Sequence, residues 1–183
     1  MDLDLSHVKN IALDGDGVLF DYVRACCDKK GIPLREPTRY DMIEPGLFDS
    51  RDEWNNYHTE AMEDAENIPL LTPNTYECVK ALHDHGYKLA LITARPNFAY
   101  DGTCKALEKN GLDKFISEVH FSTHKPQHPE YHILVDDAGY IAEQFDAADT
   151  PTQLIMYDHG YNQHVTNYPR ITDLDHLAQI LLR

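Results

Sequence analysis

The chain carries near its start the stretch IALDGDGVL, residues 11–19, in which an apolar run ends in two aspartates separated by one glycine. The apolar residues predict a buried central strand over residues 8–13, which delivers Asp14 and Asp16 at its carboxyl end. Buried carboxylates are costly unless a cation compensates them. Mg2+ suits this position because it prefers oxygen ligands and takes one or two protein carboxylates.

Outward from this strand, the chain alternates between apolar strands and helices. Further strands are predicted over residues 88–93, 118–122, 132–135 and 153–156, and helices over 21–30, 51–66, 75–85, 98–110, 138–147 and 173–182. The alternation predicts an α/β fold, a doubly wound parallel sheet of Rossmann type with helices on both faces.

The segment 21–71 departs from this alternation because it contains no strand signal. Its centre holds Pro33, Pro37, Pro45 and Gly46, which indicate loop, and an acidic helix follows. We interpret residues 21–71 as a small helical cap inserted after the first strand. The core then consists of residues 1–20 and 72–183.

Polar side chains stand at the ends of the later strands as well. Thr93 ends the second strand, Lys125 follows the third, and Asp136 and Asp137 end the fourth. Ligands of open α/β sheets bind beyond the carboxyl ends of the strands, so these groups are expected to meet. Together with Asp14 they suit phosphoryl transfer, because a carboxylate nucleophile divides the reaction into two steps and cations offset the repulsion between anions.

The composition limits the partners of such a site. A formal net charge of −15 repels nucleic-acid backbones and anionic membranes. No run approaches the roughly 20 apolar residues of a membrane span. We therefore expect a small phosphorylated substrate, no nucleic-acid polymer and no membrane, and we leave a homodimer as an open expectation.

The expected location is the cytoplasm. Residues 1–4, MDLD, lack the basic start and apolar core of a secretory signal. The four cysteines, Cys26, Cys27, Cys78 and Cys104, match no zinc-binding spacing, and reduced thiols are typical of the cytoplasm.

The order and spacing of these motifs resemble the haloacid dehalogenase (HAD) superfamily of phosphatases over nearly the whole chain. The resemblance implies a HAD-like core in which Asp14 is the nucleophile and Asp16 the general acid/base. It also implies that Lys125 binds the phosphate and the nucleophile. Mg2+ would sit between the Asp14 carboxylate, the Asp16 main-chain carbonyl and Asp137, with Asp136 close by. The catalytic residues implied by the likeness are Asp14, Asp16, Thr93 and Lys125, and the metal-site residues are Asp14, Asp16, Asp136 and Asp137.

Within that superfamily, the stretch DGVLFDY, residues 16–22, is similar to the small 5'(3')-deoxyribonucleotidases, as is the tail with Tyr161-Asn162 before Arg170-Ile171. That family holds the nucleobase with aromatic residues of its cap. The likeness implies a nucleoside monophosphate as substrate. The candidate substrate-binding residues are Thr93, Ala94, Arg95, Lys125, Phe48, Trp54 and Tyr57.

Two other functions stay open at this point. The same enzyme could act on a sugar phosphate or another small metabolite. A catalytically silent binding module on the same fold is the third hypothesis, which a buried acidic cluster disfavours because such a cluster has no evident structural use. Taken singly, each motif also has a plain structural interpretation, such as an Asp-Gly turn or cap-to-core packing of Trp54 and Tyr57.

Overall fold

A computed structural model, which describes residues 5 and 7–182, confirms the α/β class. Its six-stranded sheet has the order β3-β2-β1-β4-β5-β6, and every neighbouring pair is parallel. The strands are β1 (Asn10–Leu13), β2 (Lys88–Thr93), β3 (Ile116–Phe121), β4 (Ile133–Asp136), β5 (Gln153–Tyr157) and β6 (Arg170–Ile171). The strand order reverses between β1 and β4, and a crevice at the carboxyl ends of those two strands is where such folds bind ligands.

Six α-helices are found among the described residues. They are α1 (Tyr22–Lys30), α2 (Arg51–Glu63), α3 (Thr75–Asp84), α4 (Tyr100–Lys109), α5 (Gly139–Ala147) and α6 (Leu174–Leu181). The residues of β1 show which helices pack on each face of the sheet. Ile11 and Leu13 belong to the core cluster that includes residues of α3, α4 and α6. Ala12 belongs to a second cluster with Ile141 and Phe145 of α5. Helices therefore cover both faces of the sheet, as predicted.

Local signals explain where several helices begin and end. The Asp21 side chain caps α1 by accepting a hydrogen bond from the Arg24 N–H, and Gly31 closes that helix in the left-handed conformation. Asp173 caps α6 in the same way. The predicted helix over residues 51–66 ends earlier, at Glu63, and a 3-10 turn over Ala65–Asn67 follows it. The sequence does not predict strand β6, because two residues are too few to show a periodicity.

The segment 21–71 begins and ends at neighbouring points. Asp21 N donates to Pro69 O over 2.8 Å, and Leu71 N donates to Leu19 O over 2.8 Å. Within it the structure has α1, α2 and the 3-10 turn, and the bridge between Phe20 and Leu70 lies at its edge. Adjacent ends are what an inserted unit requires. The division into core (1–20 and 72–183) and cap (21–71) stays a prediction.

None of the described helices has the length and apolar character to span a bilayer. Residues 1–4, on which part of the expected cytoplasmic location rests, lie outside the described residues.

Candidate active site

Three buried aspartates meet at the carboxyl ends of β1 and β4. Asp14 directly follows β1, Asp136 ends β4, and Asp137 is the next residue. One carboxylate oxygen of each lies within 4.8 Å of the other two. Each of these residues is at most 7% exposed. Asp14, Asp136 and Asp137 form what we call the acidic cluster.

Lys125 is the cation that compensates part of this charge. Its Nζ lies 2.7 Å from Asp14 Oδ1 and 2.5 Å from Asp136 Oδ2, and the residue is 2% exposed. Burial lowers the pKa of Lys125, but the two carboxylates outweigh burial and raise it above its ordinary value. The side chain is therefore an ammonium ion. The structure thus brings Lys125 to the acidic cluster, where the motif spacing predicts it.

The carboxylates remain in excess. Burial raises the pKa of Asp14 to about 7, against the opposing effect of Lys125. Burial and the nearby Asp136 carboxylate raise the pKa of Asp137 well above its usual range. With all three carboxyl groups ionised, the acidic cluster and Lys125 would together carry two negative charges. The raised pKa values of Asp14 and Asp137 show that this charge is unfavourable without a further cation, and a divalent cation would neutralise it. Asp14 Oδ1 is also buried without an aligned hydrogen-bond donor. The residues therefore fit a hard divalent cation with oxygen ligands.

Asp16 lies apart from the acidic cluster, and its carboxylate is held by Arg95. Arg95 Nε donates to Asp16 Oδ2 over 2.9 Å, and Nη2 donates to Asp16 Oδ1 over 2.6 Å. The remaining Nη1 donates to Thr103 Oγ1 over 2.9 Å, and the guanidinium lies 4.9 Å from the centre of the Phe20 ring. The Asp16 side chain is therefore not part of the acidic cluster, and the metal contact predicted for Asp16 is that of its main-chain carbonyl. Three N–H groups of Arg95 are bound to protein side chains. Arg95 also lines the cavity, and its role in substrate binding stays a prediction.

The end of β2 supplies a hydroxyl beside the first motif. Thr93 is 1% exposed overall, yet it lines the cavity together with Ala94. Its Oγ1 accepts a hydrogen bond from the Arg95 backbone N–H over 3.3 Å. A methyl group added to Gly15 would lie only 3.2 Å from that oxygen. The small residue between the two aspartates therefore lets β2 approach them closely.

The loop after β5 forms a second layer behind Asp137, and sequence reasoning assigns it no role. The Tyr161 hydroxyl donates a short hydrogen bond to Asp137 Oδ2. Asn162 Nδ2 donates to the Asp137 carbonyl over 2.8 Å. His159 Nε2 lies 2.7 Å from the Gly17 carbonyl, to which it donates. The one available signal in the sequence is the dipeptide Tyr161-Asn162, which contributes to the family likeness.

The Asp137 carboxylate leaves no space for a side chain at position 17, which is a glycine. Its φ is +78°, and an added Cβ would lie 2.6 Å from Asp137 Oδ2. A side chain at this position would be strained and would also displace Asp137. The second glycine of the first motif is therefore required by the acidic cluster itself.

A cavity of about 440 Å³ opens beside the acidic cluster. This volume lies within the range of small-molecule sites. Its floor includes Asp14, Asp16, Asp137, Thr93 and Ala94. Its other walls come from the segment 21–71, from the start of α5, and from the end of β5 with the loop after it. They include Tyr22, Glu36, Tyr40, Trp54, His58, Tyr140, Tyr157, Asp158, His159 and Tyr161.

The predicted cap aromatics divide between this cavity and the core. Trp54 lines the cavity and stacks on His58 at 4.7 Å between ring centres. Phe48 is fully buried, with Lys30 Nζ 5.1 Å from its ring centre. Tyr57 packs against Phe48 at 5.8 Å. Phe48 and Tyr57 are not on the cavity wall, which corrects their assignment to substrate binding, because both face the hydrophobic core instead.

Three tyrosines line the cavity beside the acidic cluster, and only one of them, Tyr161, is named from the sequence, as part of the family likeness. The Tyr40 ring lies 5.6 Å from Tyr140 and 5.7 Å from Tyr161, edge to face in both cases. Burial and the carboxylates of the acidic cluster raise the pKa of Tyr161 well above the ordinary value, and that of Tyr140 to about 12. Both phenols are neutral at physiological pH.

Comparison with known proteins supports the fold. No protein-family model matches the chain. A curated relative, pyrophosphatase PpaX of Listeria innocua, is 30% identical over 100 residues, which amount to 48% of this chain and 45% of that protein. The chain thus matches less than half the length of this relative.

Solved structures of similar fold cover nearly the whole chain. A predicted phosphoglycolate phosphatase from Haemophilus somnus superposes with a TM-score of 0.61 at 19% identity, over 94% of this chain and 97% of that one. A HAD-superfamily hydrolase of subfamily IA, variant 1, from Geobacter sulfurreducens gives 0.57 at 16% identity, over 95% and 96%. A candidate HAD-hydrolase from Bacillus subtilis, YfnB bound to magnesium, gives 0.56 at 13% identity, over 96% and 99%. The chain therefore has the fold of these hydrolases.

Proposed function

We propose that this protein is a Mg2+-dependent phosphomonoesterase of the HAD superfamily that acts on a small phosphorylated metabolite. The observation that carries the proposal is the convergence of Asp14, Asp136, Asp137 and Lys125 at the carboxyl ends of β1 and β4, where Asp14 and Asp137 line the cavity. The names of the similar proteins, a pyrophosphatase and a predicted phosphoglycolate phosphatase, support small phosphate compounds as substrates.

The proposed chemistry begins at Asp14. One of its carboxylate oxygens forms a bond to phosphorus while the bond between phosphorus and the alcohol oxygen breaks, which gives an aspartyl-phosphate and the free alcohol. Water then hydrolyses the aspartyl-phosphate to inorganic phosphate. Lys125, 2.7 Å from Asp14 Oδ1, stabilises the carboxylate and the negative charge of the transferring group.

The other residues have supporting roles in this proposal. Asp16 faces the cavity two residues from Asp14, and its side chain is 23% exposed. As general acid and base it passes a proton taken up from water to the leaving alcohol oxygen, and it later takes a proton from the water that attacks the aspartyl-phosphate. The Thr93 hydroxyl positions the phosphate. Asp14, Asp137 and the neighbouring Asp136 would hold Mg2+, which supplies positive charge for the phosphate oxygens when bound.

A nucleoside monophosphate is the second candidate substrate. The observation that favours it is the Trp54–His58 stack on the cavity wall, with ring planes 14° apart, because flat aromatic surfaces stack on nucleobases. Only one of the three predicted cap aromatics contributes to this wall. A small metabolite without a base is therefore the main proposal, and deoxyribonucleotidase activity stays a prediction.

The test is the release of phosphate from p-nitrophenyl phosphate with Mg2+ by the wild type and the Asp14→Asn variant. We expect the variant to lose activity by at least about 10³-fold, since it lacks the nucleophile. Glu63→Gln, on the exposed side of α2 and away from the cavity, is the matched control. Full activity of the Asp14→Asn protein would refute the nucleophile assignment. A panel of sugar phosphates and nucleoside monophosphates then separates the two substrate candidates.

A further inference from the structure

The cavity wall contains no uncommitted cation among the lining residues that the structure describes. Arg95 is the Lys or Arg side chain on that wall. Its side chain is 1% exposed, its charge is paired with Asp16, and three of its N–H groups donate to Asp16 and Thr103. Burial lowers the pKa of His58 and of His159, so both rings are neutral at pH 7. A second anionic group on the substrate, such as a carboxylate or another phosphate, would therefore find no positive partner.

Carboxylates line the same cavity. Two belong to the acidic cluster and a third is Asp16; the others are Asp21, Glu36 and Asp158. Asp21 is paired with Arg24, and Asp158 with Arg170. Glu36 has no Lys or Arg partner among the described residues. Its Oε1 accepts from the Gly160 N–H over 3.1 Å and lies 3.8 Å from the neutral ring of His159. Glu36, with a side chain that is 66% exposed, is therefore the carboxylate on the outer wall of the cavity that lacks a Lys or Arg partner among the described residues.

Aromatic rings make up much of the remaining wall. They are Tyr22, Tyr40, Trp54, Tyr140, Tyr157 and Tyr161. Tyr40 is 51% exposed although it contacts Tyr140 and Tyr161, so part of its ring is open to the solvent space of the cavity. Aromatic faces attract ammonium groups, and a cation bound between rings and a carboxylate is a recurring recognition arrangement.

We propose that the alcohol portion of the substrate carries a cation, an ammonium or quaternary ammonium group on a short carbon chain, held by Tyr40 and Glu36 while the phosphate lies at the acidic cluster. This inference rests on the proposed phosphatase function and names its substrate class. The products are the cationic alcohol and inorganic phosphate. Water supplies the new oxygen on phosphorus and the proton on the alcohol. The net charge of −15 would also attract such a substrate more than one with further negative groups.

The decisive experiment compares two substrates of the same shape. Phosphocholine carries a positively charged nitrogen at the position where 3,3-dimethylbutyl phosphate carries a neutral carbon. With Mg2+ present, we expect kcat/KM to be roughly tenfold higher for phosphocholine, which corresponds to about 1.4 kcal/mol. Phosphoglycolate, which carries a carboxylate, should be the poorest of the three. Equal values for phosphocholine and its neutral isostere, or a preference for phosphoglycolate or a nucleoside monophosphate, would overturn the inference.

Variants locate the effect. Glu36→Gln and Tyr40→Leu should reduce the phosphocholine preference to about twofold or less, whereas Tyr40→Phe, which keeps the ring, should retain it. Glu63→Gln on α2 should leave the preference at the wild-type value. A preference that survives both Glu36→Gln and Tyr40→Leu would contradict the assignment of these residues.

Hydrolysis of p-nitrophenyl phosphate separates this inference from the function on which it rests. Activity on that generic ester without a preference for phosphocholine defeats the cationic substrate and leaves the phosphatase standing. No phosphate release from any of these esters defeats both.

Discussion

Replacing Asp14 with asparagine is expected to stabilise the metal-free protein at neutral pH. Burial raises the pKa of this carboxyl from 3.8 to about 7, although Lys125 acts in the opposite direction. Between these two pH values the folded chain retains a proton that the unfolded chain has lost. The stability that the proton confers is complete below the unfolded pKa and disappears as the pH rises through the folded pKa.

The size of this pH-dependent loss of stability follows from the difference between the folded and unfolded pKa values of Asp14. At about 1.4 kcal/mol per pH unit, a rise in pKa from 3.8 to about 7 corresponds to ~4 kcal/mol lost by the wild type above pH 7. Asparagine is similar in size and carries no charge, so the variant avoids this loss. Lys125 keeps Asp136 as a partner at 2.5 Å, and its ammonium is therefore not left unpaired.

Urea unfolding in the presence of EDTA measures the difference. The free energies of unfolding of wild type and Asp14→Asn should be similar at pH 4 and differ by ~4 kcal/mol at pH 7.5. With a slope of ~2 kcal/mol per molar urea, the midpoint of the variant should be higher by ~2 M at pH 7.5. Glu63→Gln should follow the wild type throughout. Parallel pH profiles, or a variant less stable than the wild type at pH 7.5, would show that Asp14 is not a strained carboxylate.

Three further outcomes follow from contacts at the site. Lys125→Met leaves the two carboxylates that it bridges unpaired, so the free energy of unfolding at pH 7.5 should fall by ~3–5 kcal/mol in thermal or urea denaturation. Gly17→Ala places a methyl group 2.6 Å from Asp137 Oδ2 at a φ of +78°. Calorimetric titration should therefore show an affinity for Mg2+ that is at least about tenfold weaker. The free energy of unfolding should fall by ~1–2 kcal/mol, because a side chain is strained at this φ. Arg95→Lys cannot make the two-pronged contact to Asp16, and kcat for p-nitrophenyl phosphate should fall roughly tenfold with little change in KM. Unchanged values in these measurements would contradict the corresponding contact.

Sequence reasoning locates the groups that the main chain itself carries to the sheet edge. Asp14, Lys125, Asp136 and Asp137 follow from one geometric fact, that parallel strands present their carboxyl ends at the same edge. Short hydrophobic runs identify β1 and β4, so Asp14, Asp136 and Asp137 can be placed without knowledge of any side-chain contact.

Side chains on loops are not accessible to the same reasoning. Phe48 and Tyr40 both lie in the Pro- and Gly-containing loop between α1 and α2, yet Phe48 enters the core and Tyr40 lines the cavity. No periodicity in a loop tells which way an aromatic residue faces. The ion pair of Arg95 is hidden from the sequence for another reason. Its partner Asp16 is 79 positions away in the sequence, and only the close approach of β1 and β2 makes them neighbours.

The surplus of charge at the acidic cluster is the strongest argument that the site has a function. A structural ion pair would need only Lys125 and one carboxylate, and even such a buried pair contributes little net stability. This chain adds two more buried carboxylates and then supports Asp137 with Tyr161, Asn162 and a glycine at positive φ. These features lower the stability of the fold and bury no additional apolar surface. A chain under selection for stability alone would lose them, so their presence together favours a site that is balanced only when a divalent cation and a phosphorylated ligand occupy it.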